Sequence, residues 1–174
     1  MPQRLAHRLA ELTLFSGVDE ADLLEVARHA DLLHLADGEQ LFSQGEAPRA
    51  LYLVLGGAVR VVVGGEDGLD VVVGEVGAGG LLGELGVLDG TPRSASAHAA
   101  GAAEVLAFPA AILSALIEGG HPVGAAWLRA LRVQLAGRVR ALDARVDAVF
   151  GRVATDALDP VGVDALRAAW LEHR

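Results

Sequence analysis

At 174 residues and 17.9 kDa, the chain has room for one domain, or one domain with an appendage, and its 52% hydrophobic content and mean hydropathy of +0.40 exclude an intrinsically disordered chain. Zero cysteines rule out a disulfide framework, a thiolate nucleophile and a zinc–cysteine site, while an all-arginine set of 14 basic residues rules out a P-loop lysine, a Schiff-base lysine and a lysine general base. The net charge of −9 is uneven: residues 1–110 carry 16 acids against 6 arginines and residues 111–174 carry 7 against 8, so the body is acidic and lacks a nucleic-acid footprint.

From Arg4 to Ala30 the pattern is helical, with Leu5, Leu9 and Leu12 on one stripe and a break at Phe15-Ser16-Gly17. Asp19 stands where an N-cap would open a second helix carrying Leu23, Val26, Ala27 and Ala30. From Leu32 to about Phe108 the apolar runs shorten, and glycine or Asp-Gly breaks punctuate them, at Asp37-Gly38, Gly45, Gly56-Gly57, Gly64-Gly65, Asp67-Gly68, Gly74 and Gly77. The segments Leu51–Leu55, Val59–Val63 and Leu69–Val73 between these breaks read as strands of an all-β barrel or roll.

From Pro122 a long helix is expected to run to about Phe150, since proline suits the first helical turn and none follows until residue 160. Leu128, Leu131, Leu135, Val139, Leu142, Val146 and Val149 step by threes and fours, an a/d seam with one stutter. Such a seam either lies on the chain's own β domain or pairs with a second copy, and homodimerisation is the sharper expectation. The arginines of this helix (Arg129, Arg132, Arg138, Arg140 and Arg145) read as a solvated face. Residues 151–174 read as a short tail with a possible helix from Asp164 through Trp170, too little for a helix-turn-helix domain.

One segment carries chemistry: Leu82-Gly83-Glu84-Leu85-Gly86-Val87-Leu88-Asp89-Gly90-Thr91-Pro92-Arg93-Ser94. A strand ends in glycines, a short apolar turn follows, and Arg93-Ser94 opens the next strand. A turn too short to pack as a helix leaves backbone N–H groups free for an anion. Arg93 adds a planar fork that matches phosphate bidentately, and Ser94 adds a hydroxyl. Glu84 only accepts hydrogen bonds, so beside a phosphate it calls for a ligand hydroxyl, which a ribose supplies.

These residues resemble the phosphate-binding cassette of the cyclic-nucleotide-binding domains found in catabolite-activator-type regulators, protein kinase A regulatory subunits and nucleotide-gated channels. The resemblance extends upstream through DGEQLFSQGE and LYLVLGGAVRV and downstream through EVLAFPAAILSAL, covering about Leu12 to Phe150. It implies an α+β fold: an antiparallel, jelly-roll-like β-roll over residues 32–120, with N-terminal helices over 1–31, a lid or dimer helix over 121–150 and a tail over 151–174. It also implies cAMP or cGMP as ligand. Glu84 would take the ribose 2′-hydroxyl, Arg93 the cyclic phosphate, and Gly83, Leu85 and Ser94 backbone or hydroxyl contacts around the phosphate ring.

Two departures stand out. Leu81-Leu82 replaces the aromatic residue often found before Gly-Glu, a change of packing. The long helix has no Ser or Thr to read a base, leaving Arg138 and Leu142 as lid candidates. The expected function is that of a free-standing, non-catalytic cyclic-nucleotide sensor, signalling through its helix to a dimer or to an unidentified protein partner. The alternatives are an interaction module that keeps the roll for docking, and a transcription regulator whose DNA-binding half lies beyond Arg174.

No apolar run reaches the roughly 18 residues of a membrane span, and Arg4, Arg8 and Glu11 replace a signal peptide's apolar region, so a cytoplasmic location is expected. The six histidines show no metal-ligand spacing, so no metal is expected. Gly-Ala-Gly-Gly lacks the register and long helix of a dinucleotide fingerprint, and Ser94, Ser96 and His98 lack the elbow of a hydrolase triad.

Overall fold

The computed structural model describes residues 2–64 and 69–156. The chain divides into two compact units, one up to Leu131 and the other from Arg132. The first unit begins with α1 (Pro2–Ala10), a single 3-10 turn (Thr13–Phe15) and α2 (Glu20–Ala27). Asp19 is the N-cap residue of α2, as expected, although its side chain makes no capping hydrogen bond.

Six strands follow in one antiparallel sheet: β1 (Asp31–Leu35), β2 (Gln40–Phe42), β3 (Ala50–Gly64), β4 (Asp70–Gly77), β5 (Leu81–Leu82) and β6 (Ser96–Pro109). They run in the order β1-β6-β3-β4, with β2 also on β6 and β5 also on β3. Between β5 and β6 lies α3 (Glu84–Asp89), and after β6 come α4 (Ala110–Glu118) and α5 (Pro122–Asp156). This is the expected β-roll with N-terminal helices and a long C-terminal helix.

The structure corrects the sequence reading in several places. Gly56-Gly57 does not separate two strands: β3 is one 15-residue strand whose register against β6 shifts at Val54–Gly56 and again at Gly56–Ala58. Tyr52 and Val54 face the roll interior before this irregularity and Val59 and Val61 after it, so the bulge changes the phase of the alternation. Gly57 has φ of +71°, and a Cβ there would overlap the Ala102 carbonyl of β6, so glycine is required. Gly74 likewise ends no strand; it pairs with Val61 inside β4, beside a register shift that leaves Val73 unpaired with β3.

The segment after Leu82 is a six-residue helix where a short apolar turn was expected, and it buries only Glu84 and Gly86. The run Ala110–Glu118 forms a helix that periodicity had not separated from the roll. In α5, Pro122 takes the first helical position, and the helix runs to Asp156, past the expected end. The possible helix from Asp164 and the rest of the tail beyond Asp156 lie outside the described residues.

Two cores hold the first unit together. Leu5, Leu9, Phe15 and Leu23 of the N-terminal segment pack with Leu51, Leu106 and Phe108 of the sheet and with Trp127 of α5. Trp127 meets the Phe108 ring edge-on at 4.5 Å, a favoured aromatic geometry. The second core fills the roll with Phe42, Val54, Val59, Leu82, Ala97 and Val105. Trp127 therefore takes the inward place that the seam had given to Leu128, which is 37% exposed. Leu81 and Leu82 are both buried and pair with Leu53 and Tyr52, the packing role expected of them.

Candidate functional site

The cassette segment is built on tight backbone geometry. Gly83 sits in the left-handed region at φ of +75° as the N-cap residue of α3, and Gly90 closes the helix at φ of +73°, its N–H donating to the Gly86 carbonyl at 2.8 Å. The Asp89 carboxylate accepts from the Thr91 backbone N–H at 2.9 Å and from the Thr91 hydroxyl at 2.6 Å, holding the turn. Those two bonds hold the Asp89 carboxyl below its ordinary range. A Cβ on Gly86 would come within 2.5 Å of the Thr91 carbonyl and 2.7 Å of Pro48, so α3 lies too close to its neighbours for a side chain there.

Glu84 and Arg93 are 2% and 5% exposed, the two buried charged side chains among the described residues. The Arg93 backbone is pinned to the turn before β3: its N–H donates to the Glu46 carbonyl at 2.9 Å, and its carbonyl accepts from Gly45 at 2.8 Å. Its guanidinium donates from Nη1 to the Gly83 carbonyl at 2.6 Å and from Nη2 to the Ala50 carbonyl at 2.5 Å. Phe42 and Tyr52 stack on one another, and the guanidinium carbon lies 4.5 Å and 5.4 Å from their ring centroids. A desolvated cation over an aromatic face gains up to about 2 kcal/mol, which offsets part of the cost of burying the charge.

Burial pushes the Tyr52 phenol above its ordinary pKa, and the adjacent Arg93 guanidinium opposes the shift. Arg93 Nε is buried with no hydrogen-bond partner among the described residues. The arginine is thus oriented by two carbonyls and two rings while one inward donor stays uncommitted. A buried unpaired donor of this kind costs about 1–3 kcal/mol and is relieved by any acceptor that reaches it.

The structure brings Gly83, Glu84 and Arg93 together at one corner of the roll. Leu85 is 40% exposed on the outer side of α3, and Ser94 is exposed in the bend before β6. Arg138 and Leu142 lie on α5 in the second unit, both exposed. Sequence reasoning missed Phe42, Tyr52 and the Ala50 carbonyl, which orient Arg93 from 51, 41 and 43 positions upstream. A usable signal existed in the scarcity of aromatics: the chain has four Phe, two Trp and one Tyr, and two of these seven sit beside Arg93, on two strands that both pair with β6. Among the described residues no helix is long and apolar enough to cross a membrane, and no cluster of three or more His, Asp or Glu is placed to hold a metal ion.

Comparison with known proteins points to one family. A lysophospholipase nte1 from Aspergillus oryzae is 36% identical over 100 residues, which is 58% of this chain and 6% of the fungal protein. The chain thus spans only a small fraction of the curated relatives it matches. Among solved structures, the catabolite activator protein of Thermus thermophilus is 28% identical with a TM-score of 0.64, over 84% of this chain and 73% of that one. A mutant regulatory subunit of a cAMP-independent protein kinase A from Trypanosoma brucei, bound to cAMP in its A site, is 25% identical with a TM-score of 0.57, over 63% and 40%. The model of the cyclic nucleotide-binding domain matches residues 32–119, just over half of the chain and the whole of the sheet except Asp31. The roll agrees with that match, and the chain belongs to the cyclic nucleotide-binding domain family.

Proposed function

We propose that this protein is a non-catalytic sensor that binds cAMP or cGMP reversibly at the Gly83–Ser94 corner and passes the binding state through α5 to a second copy or another protein. The observation that carries the reading is Arg93: a buried guanidinium, held by carbonyls and aromatic rings, with Nε uncommitted. The cyclic phosphate supplies the missing acceptor, and the ribose 2′-hydroxyl supplies a donor for Glu84. Gly83 and Leu85 contribute backbone contacts, and Ser94 contributes a hydroxyl close to the ring.

Base recognition is weak in this reading, because the long helix has no hydroxyl side chain before Thr155 and only Arg138 and Leu142 to offer. Titration calorimetry with both nucleotides tests it. Micromolar or tighter binding of cAMP is expected, with cAMP preferred over cGMP by less than about a hundredfold, or below 3 kcal/mol. No heat with either nucleotide at millimolar concentration sinks the sensor.

The output through α5 rests on the apolar seam. Val139 and Leu142 are 57% and 58% exposed. Leu131 of the seam is buried in the first core with Val123 and Trp127, and Leu135, Val139, Leu142 and Val146 continue the seam beyond it. A stripe of that length favours a second copy. Light scattering of the wild type is expected to give a dimer, and Leu135→Asp with Val146→Asp a folded monomer. A wild-type monomer with and without nucleotide overturns the dimer.

A further inference from the structure

We propose that the cleft between α1 and the edge strand β1 is a second ligand site, separate from the cassette, for a small amphiphile with a single carboxylate head. The cleft encloses about 460 Å³, within the range of small-molecule sites, roughly 300–1,000 Å³. Its apolar part is Leu5 of α1, Ala27 at the end of α2, Ala30 just before β1, and Leu32 of β1. Arg4, Arg8 and Arg28 line the same space.

That concentration of arginine is out of proportion in an acidic body. Residues 1–110 contain six arginines, and three of them line this one cleft. Arg8 is committed: it donates from Nη2 to Glu104, which His34 also approaches at 3.4 Å, and the Arg8 bond holds the Glu104 carboxyl below its ordinary range. Arg4 and Arg28 have no ion-pair partner among the described residues, although Asp31 lines the cleft beside them. Three arginines against two carboxylates leave one net positive charge, which suits a monoanion and disfavours a polyphosphate. A guanidinium fork matches a carboxylate bidentately, and the apolar floor accepts a short hydrocarbon body. A site for a free inorganic anion would need no such floor.

The test is an amide NMR titration of the full chain with sodium octanoate below its micelle concentration, with parallel titrations of acetate and octanol. Octanoate is expected to shift the amides of Leu5, Ala27, Ala30 and Leu32 with saturation below millimolar, and acetate and octanol to bind at least tenfold more weakly. Arg4→Gln with Arg28→Gln, both exposed and so expected to leave thermal unfolding unchanged, should weaken octanoate at least tenfold and leave the cAMP isotherm as in the wild type. Shifts confined to Gly83–Ser94, equal binding of acetate or octanol, no binding of octanoate, or wild-type affinity in the double variant each overturn the proposal. The octanoate readings stand whether or not cAMP binds, so the two sites succeed or fail independently.

Discussion

Two regions of the roll invert the usual partition of side chains, in opposite senses. At the cassette corner, a carboxylate and a guanidinium are buried. On β4, Val71, Val72 and Val73 are all exposed, as is Leu69 before them. Successive side chains of a strand point to opposite faces, so three exposed consecutive valines leave both faces of β4 uncovered by the described residues. The buried pair is costly and is therefore surrounded by specific partners: two carbonyls, two rings and a glycine whose missing side chain makes space. The exposed valines need no such support, because β-branched residues on a sheet edge keep their local conformation without a core. Burial of charge thus marks where substitution is felt most, and exposure of apolar residues marks where it is felt least.

The largest effect is expected at Arg93. Arg93→Ala removes both the fork proposed to hold the phosphate and the contacts to Gly83, Ala50, Phe42 and Tyr52, and should cost nucleotide binding on the order of 2–5 kcal/mol by calorimetry. Arg93→Lys keeps the charge but not the planar fork, and should recover only part of the loss. Affinity unchanged in the alanine variant would reduce the buried corner to a packing device.

Next comes Gly83→Ala, which imposes φ of +75° on a side chain at a cost of about 1–2 kcal/mol. It also drives a Cβ into the Arg93 guanidinium. Thermal unfolding should fall by several degrees, and nucleotide affinity should fall with it, since the arginine must move. Loss of stability with affinity intact would show that the Arg93 orientation is not what the ligand reads.

How much of this was legible beforehand follows from the range of the interactions. The cassette is local: Gly83, Glu84 and Arg93 fall within eleven consecutive residues, so spacing and residue chemistry were enough to bring them together. The aromatic bracket is not local, since Phe42 and Tyr52 reach Arg93 only through sheet pairing, with β2 on β6 and β3 on β6. The glycine-punctuated texture exposed the roll, but a glycine read as a turn and a glycine inside a bulge look alike in sequence, which is why β3 was split at Gly56-Gly57. The helical phase of α5 was misjudged at its start because Leu128 and Trp127 are adjacent and both apolar. The space beside Phe108 and Phe15 decided between them. The apolar run after Pro109 suited a short helix or a strand equally, and only packing against the first core selected the helix.

The smallest effect isolates the comparison itself. Val62 and Val72 are direct cross-strand partners on β3 and β4, yet Val62 is buried and Val72 exposed. Threonine keeps the branch at Cβ and replaces a methyl by a hydroxyl, so the same substitution at both positions differs only in what surrounds it. Val62→Thr should lower stability in urea by about 1–3 kcal/mol, because the hydroxyl is withdrawn from water without a prepared partner. Val72→Thr should stay within about 0.5 kcal/mol, as at other surface positions. An equal loss at the two sites would mean that β4 is covered in solution. A loss at Val72 that grows with protein concentration would identify the cover as a second copy, since only association makes a mutational cost depend on concentration.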